Sequence, residues 1–97
     1  MWGNDMSAVS VKKVNDSTFE VAVEGASVTT HVVTVPLDYA SKLTEDRVPV
    51  ETLIVLSFEF LLERESNTSI LRRFELPVIA NYFPEYETTM RGMLLNC

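Results

Sequence analysis

The residues that could do chemistry are few and lie far apart along the chain. His31 is the single histidine and Cys97 is the single cysteine of the 97 residues. A nucleophilic triad or a metal site needs several such groups held together. We therefore interpret His31 as a structural or surface residue of a strand. Cys97 is the last residue, where we do not expect the fixed electropositive pocket that a catalytic thiol requires.

Glu59 and Glu63 lie one helical turn apart, and they could bind a metal ion together with His31. Divalent sites usually need three or more ligands, and the sequence offers no further candidate. We interpret the pair as the solvated strip of an otherwise buried helix. No catalytic residue, cofactor or metal is predicted, so the residues favour a protein that is not an enzyme and leave catalysis open.

Two further clusters suggest binding. Arg64, Arg72 and Arg73 lie near a predicted helix start, where they could hold an anion or pair with the glutamates at 63, 65 and 75. Three aromatic residues surround Pro84, as an interaction surface or as the cover of a core. The speculative interaction or ligand surface consists of Tyr82, Phe83, Tyr86, Arg72 and Arg73.

The stretch Val50–Leu62 determines the architecture that must position these residues. It is apolar on nearly every side of a helical wheel, and its polar residues Thr52, Glu59 and Glu63 occupy a narrow arc. A membrane-spanning helix needs about 20 mostly apolar residues, so this helix is too short to be one. It therefore requires a sheet on one side and further helices, or a second subunit, on another.

Three β-strands precede this helix. Alternation begins at Ala8, is clearest over Thr18–Glu24, and continues in a strand over Ser27–Val35. Close turns at residues 15–17 and 25–26 predict an antiparallel meander. The third strand has apolar residues on both faces, Val28 and Val32 on one and Val33 and Val35 on the other. Its second face would be covered by a later segment or by a second copy.

Short helices are predicted around and after the central one. The first runs over Tyr39–Leu43, with Asp38 as its cap. A second has an apolar stripe of Ile70, Leu71 and Phe74. A third short segment begins at Pro77, and a last helix runs from Pro84 to a C-cap near Gly92. The fold class is α+β, a three-stranded antiparallel β-meander followed by a buried central helix and two or three short C-terminal helices. Residues 1–7 form a flexible tail and residues 8–97 a single domain.

Charge and composition exclude several classes of partner. Fourteen acidic and eight basic residues give a net charge of −6, which disfavours nucleic acid as a partner. The same charge disfavours interpreting Val35-Pro36-Leu37 as part of a DNA-binding ribbon-helix-helix. A membrane partner is not expected either. The N-terminal segment has neither a basic n-region nor an apolar h-region, and one cysteine cannot form an internal disulfide. We expect a cytoplasmic protein.

The segment Ser57–Glu87 resembles a small family of uncharacterised prokaryotic proteins through the pieces FEFLLERE, SILRRF and YFPEYE. The resemblance covers about a third of the chain and implies a compact bacterial or archaeal domain. It carries over no activity and no functional residue.

Two functions follow from these features. The first is a small non-enzymatic interaction module acting as a homodimer, because self-association would cover the excess apolar surface. The alternative is a protein that binds a small acidic or anionic ligand between the sheet and the C-terminal helices, with Arg72 or Arg73 holding the acid.

Overall fold

The computed structural model describes residues 9–25 and 27–95. The predicted tail, residues 1–7, and Cys97 lie outside them. The chain has an α+β fold with a mixed four-stranded sheet, and its elements include one 3₁₀ turn. In chain order these are β1 (Val9–Lys13), β2 (Thr18–Glu24), β3 (Val28–Thr34), α1 (Leu37–Thr44), α2 (Val50–Leu62), the 3₁₀ turn (Asn67–Ser69), β4 (Arg73–Glu75), α3 (Val78–Tyr82) and α4 (Tyr86–Leu95).

The sheet has the strand order β1-β2-β3-β4. The first three strands are antiparallel, as the turn chemistry predicts, with the Asn15 carboxamide accepting hydrogen bonds from the backbone amides of Ser17 and Thr18. One face packs against α2 and is buried. The opposite face, which we call the outer face, is largely exposed and carries Glu20, Glu24, Val28, Thr30 and Arg73.

The fourth strand corrects the prediction of a helix with Ile70, Leu71 and Phe74 as its apolar stripe. This segment is extended instead, and β4 lies parallel to β3. The amide of Val32 donates to the carbonyl of Arg72 at 2.7 Å, and β4 thereby pairs the backbone groups that a three-stranded sheet would leave open along β3. The prediction of three antiparallel strands was therefore one strand short.

Helix α2 occupies the predicted residues and forms the middle layer of the fold. It contacts the sheet on one side and α1 and α4 on the other, which explains why apolar residues surround it. Thr52 and Glu59 lie on a partly exposed strip that also includes Val55 and Leu56, while Glu63 follows the helix and is exposed. The buried residues of α2 are Leu53, Ile54, Ser57, Phe58, Phe60 and Leu61.

The flanking helices are longer than predicted. Helix α1 begins at Leu37, so Asp38 lies in its first turn and accepts a hydrogen bond from the amide of Tyr39. Helix α4 continues past Gly92 to Leu95, and the predicted glycine C-cap is wrong. A side chain at Gly92 would meet nothing within 4 Å, while its neighbours Met90 and Leu94 are buried one turn apart. Within the described residues, the helices lack the combination of length and apolar character needed to cross a bilayer.

Candidate functional site

An apolar groove of about 260 Å³ opens between the C-terminal end of α2, the segment that leads into β4, and helix α3. Its walls are mostly aliphatic and aromatic, with the carboxylate of Glu65 and the hydroxyl groups of Ser69 and Tyr82 among them. The lining residues are Leu61, Glu65, Ser69, Ile70, Leu71, Phe74, Val78, Ile79, Tyr82 and Phe83.

Two lining residues expose far more surface than apolar residues of a core. Tyr82 is 67% exposed and Leu71 is 48% exposed. The remaining exposed large hydrophobic residues of the described chain, Val14, Val28 and Leu37, do not line the groove. Scattered exposed apolar residues are normal, whereas a continuous apolar patch marks a binding surface.

A buried chain of hydrogen bonds fixes the wall of the groove to the sheet. His31 Nδ1 lies 2.8 Å from the carbonyl oxygen of Leu71, and His31 Nε2 lies 2.9 Å from the hydroxyl of Thr29. Because a carbonyl can only accept, Nδ1 carries the proton and donates to Leu71. In the neutral ring Nε2 then accepts a hydrogen bond from the Thr29 hydroxyl. The oxygen of that hydroxyl accepts in turn from the side-chain amide of Asn67 at 3.0 Å.

This network gives His31 a structural role, in agreement with the sequence interpretation. The ring is fully buried and both nitrogens have partners, so no nitrogen is free to act as a base. The acidic residues of the neighbouring strand β2, Glu20 and Glu24, lie on the outer face and do not contact the ring. Sequence reasoning missed Asn67, whose partner Thr29 lies 38 positions away in the chain.

Asn67 also explains a glycine at the end of β2. Its amide nitrogen donates to the carbonyl of Ser27 at 2.8 Å, which holds the side chain against the backbone of Gly25. A Cβ atom at Gly25 would lie 2.7 Å from Asn67 Oδ1. Glycine is therefore required by the close approach of the carboxamide.

A second buried polar pair, Ser57 and Tyr86, was also not predicted from the sequence. The hydroxyl of Ser57 donates to the carbonyl of Leu53 at 2.7 Å, so the Tyr86 hydroxyl donates to Ser57 across 2.6 Å. Burial raises the pKa of Tyr86, which keeps the phenol protonated. Both side chains are fully buried, so the pair joins α2 to α4 and offers no nucleophile to solvent.

The structure separates the five residues of the predicted surface. Tyr82 and Phe83 line the groove, while Tyr86 lies in the core with its ring 5.4 Å from that of Phe60. Arg72 is exposed beside Leu71, and Arg73 lies on the outer face opposite Val32. Neither arginine lines the groove. The lining residues supplied by α2 and by the segment before β4 were not predicted.

The third predicted arginine is engaged elsewhere. Arg64 lies 3.7 Å from the centre of the Phe60 ring and pairs with Glu63 and Glu85 at 3.4 and 3.3 Å. The helix start near which the three arginines were predicted to hold an anion is replaced by an extended segment. Across the described residues, no three His, Cys, Asp or Glu side chains approach closely enough to hold a metal ion.

No protein family, curated protein or solved structure matches this chain in the comparisons with known proteins. The functional argument therefore rests on the geometry of the groove and on the residues that form it.

Proposed function

We propose that this protein is a small non-enzymatic interaction module, and that it forms a homodimer through the apolar groove. The proposal is carried by one observation, the joint exposure of Leu71 and Tyr82 on the same groove. Covering these side chains with a second copy removes apolar surface from water, which is the main driving force of association. A cytoplasmic location belongs to the same proposal. The net charge of −6 supports its further part, that neither nucleic acid nor an anionic membrane surface is the partner.

The rigidity of the groove supports a binding role. The hydrogen bond from His31 holds the backbone of Leu71, and Asn67 holds the 3₁₀ turn that precedes it. A surface that is fixed before binding loses little conformational entropy when a partner arrives. The apolar side chains at the groove are thus presented by backbone that is already ordered.

Light scattering across micromolar concentrations tests the proposal. We expect the native chain to be dimeric and the variant Leu71→Ser/Tyr82→Ser to be monomeric at the same concentration. The matched control is Val28→Ser/Leu37→Ser, because these residues are 67% and 55% exposed and lie outside the groove. A native chain that stays monomeric, or a control variant that dissociates as readily as the groove variant, would refute the groove as the dimer contact.

A small ligand in the groove is the second candidate. The cavity of about 260 Å³ approaches the lower end of small-molecule sites. The charged side chain in its lining is Glu65, whereas Arg72 and Arg73 lie outside the lining. This arrangement favours an apolar ligand with a cationic group over the acidic ligand expected from the sequence.

Two compounds of the same shape and opposite charge separate these ligand classes. We expect phenethylammonium to shift the NMR signals of Tyr82 and Phe83 at lower concentration than phenylacetate does, because Glu65 attracts a cation. Equal shifts with both compounds would contradict a role for Glu65, and no shift with either would remove this second candidate.

A further inference from the structure

Glu65 gives the groove a negative charge that forms no ion pair with the described residues. The described residues form ion pairs between Arg47 and Glu45 and between Arg64 and the carboxylates of Glu63 and Glu85. Glu65 takes part in none of these pairs, although it is exposed and lines the groove. A partner that fills the groove therefore meets an acidic group beside an apolar surface.

Arg72 is a charge of opposite sign next to the groove in the chain, although it does not line the groove itself. It is exposed, forms no ion pair among the described residues, and directly follows Leu71 of the groove. Its backbone is fixed because its carbonyl accepts from the amide of Val32 at 2.7 Å. The guanidinium is thus available to a carboxylate of another chain, and its backbone is held by this hydrogen bond to β3.

Arg73 does not fit this role, although it is the neighbouring arginine. It lies opposite Val32 on the outer face of the sheet, while Phe74 lies opposite buried Val33 and lines the groove. Successive residues of a strand point to opposite faces. Arg73 therefore projects away from the groove and serves as a matched control.

We propose that two copies of this chain associate about a two-fold axis, with Glu65 of each copy paired to Arg72 of the other. The inference rests on the proposed homodimer and specifies its arrangement. A two-fold interface places the same patch on both subunits, so one acid and one arginine per chain give two pairs. The exposed apolar residues Leu71 and Tyr82 supply the contact surface, and the charge pairs set the register of the two copies.

The size of the molecule is compatible with such a contact. Its principal extents are 33 × 27 × 25 Å. A stable interface buries ~800 Å² on each partner, which is about one face of a body of these dimensions. The groove is smaller than such a face, so an interface of this size includes surface beyond the lining, and the proposal places Arg72, which follows Leu71, in that surface.

Charge reversal tests the pairing by sedimentation velocity. We expect Glu65→Arg alone and Arg72→Glu alone each to raise the dimer dissociation constant by about tenfold or more, because each homodimer then holds two like-charged pairs. The double variant Glu65→Arg/Arg72→Glu should dimerise as the native chain does. Arg73→Glu makes the same change of charge on the outer face and should leave the dissociation constant unchanged.

A mixture of the two single variants gives the sharpest result. In a heterodimer of Glu65→Arg with Arg72→Glu, both charge pairs are again opposite in sign, so the mixture should form a heterodimer at concentrations where each variant alone is a monomer. A native dimer whose dissociation is unaffected by either single change, or a mixture that stays monomeric, would overturn the pairing and leave the dimer itself intact.

Two further readouts complete the test. Salt should reduce the difference in dissociation constant between the native chain and Glu65→Arg, because it screens the charge pairs, and a difference independent of salt would overturn the pairing. A native chain that is monomeric at every concentration would refute the proposed homodimer, and with it this arrangement.

Discussion

His31 Nδ1 lies 2.8 Å from the carbonyl oxygen of Leu71, a residue 40 positions further along the chain. This hydrogen bond joins the buried face of β3 to the wall of the groove. The position of the exposed residue Leu71 therefore depends on the buried side chain of His31. The sheet therefore determines where the candidate binding surface lies.

Replacing the imidazole should weaken the fold at this junction. We expect His31→Leu to lower the free energy of unfolding by about 1–3 kcal/mol, because the Leu71 carbonyl and the Thr29 hydroxyl each lose a partner. Urea denaturation measures the change. Thr30→Ala, on the exposed outer face, is the control and should change stability by less than about 0.5 kcal/mol. Equal effects of the two substitutions would show that the network contributes nothing to stability.

The contact between Gly25 and Asn67 gives a double-mutant prediction. Gly25→Ala should cost about 1–3 kcal/mol, because its new methyl group would press on a carboxamide that hydrogen bonds hold in place. In an Asn67→Ala background the same change should cost about 1 kcal/mol less, since the obstructing side chain is gone. Thermal and urea denaturation of the four proteins measure this coupling.

Gly92→Ala is the matched control for that experiment. It lies within α4, where an added methyl group meets nothing within 4 Å. We expect it to stabilise the protein by roughly 0.5–1 kcal/mol, because alanine loses less backbone entropy in a helix than glycine does. Destabilisation by Gly92→Ala would contradict the described course of α4 through this residue.

The buried phenol of Tyr86 predicts a loss of stability in alkali. Burial raises its pKa above the ordinary value near 10. Above pH 10 the unfolded chain releases a proton that the native protein keeps, so stability falls as pH rises. The slope from this one group reaches about 1.4 kcal/mol per pH unit.

Tyr86→Phe should make this alkaline slope shallower by the contribution of one proton. Denaturation curves between pH 9 and about 11 measure it, within the range where the unfolded phenol titrates. Phe60→Leu is the control. It removes the ring whose centre lies 5.4 Å from that of Tyr86, but it leaves the Tyr86 phenol in place. Some alkaline sensitivity should remain in Tyr86→Phe, since burial and the hydrogen bond to Glu87 also raise the pKa of Tyr39. An unchanged slope in Tyr86→Phe would contradict the assignment.

Two neighbouring residues of α2 test its role as the middle layer. Phe58 is fully buried, with ring contacts to His31 and Phe74, and Phe58→Ala should cost about 3–5 kcal/mol through the cavity it leaves. Glu59 lies on the partly exposed strip, and Glu59→Ala should cost no more than about 0.5 kcal/mol. Similar melting temperatures for both variants would contradict this layer arrangement.

The elements predicted well are those that local patterns determine. Alternation identifies β2 over Thr18–Glu24, and a nearly continuous apolar run after Pro49 identifies α2 over Val50–Leu62. Strand β4 could not be predicted in this way. Its three residues, Arg73, Phe74 and Glu75, are too few to show a helix or a strand period, and the choice is made by hydrogen bonds to β3, which lies about forty residues earlier in the chain.

The candidate site was predictable in part for the same reason. The aromatic crowding around Pro84 indicates Tyr82 and Phe83, which do line the groove. It does not distinguish them from Tyr86, whose burial depends on a hydrogen bond to Ser57 across two helices. Asn67 and Thr29 form their contact only once the chain has folded, so their spacing gives no signal.

The most direct measurement is an isotope-filtered NMR experiment on an equal mixture of labelled and unlabelled chains, which detects contacts between copies alone. We predict intermolecular contacts from the side chains of Leu71 and Tyr82 to groove residues such as Val78 and Phe74 of the other copy. Intermolecular contacts confined to the outer face, for example at Val28, or a concentrated sample with no intermolecular contact, would contradict dimerisation through the groove.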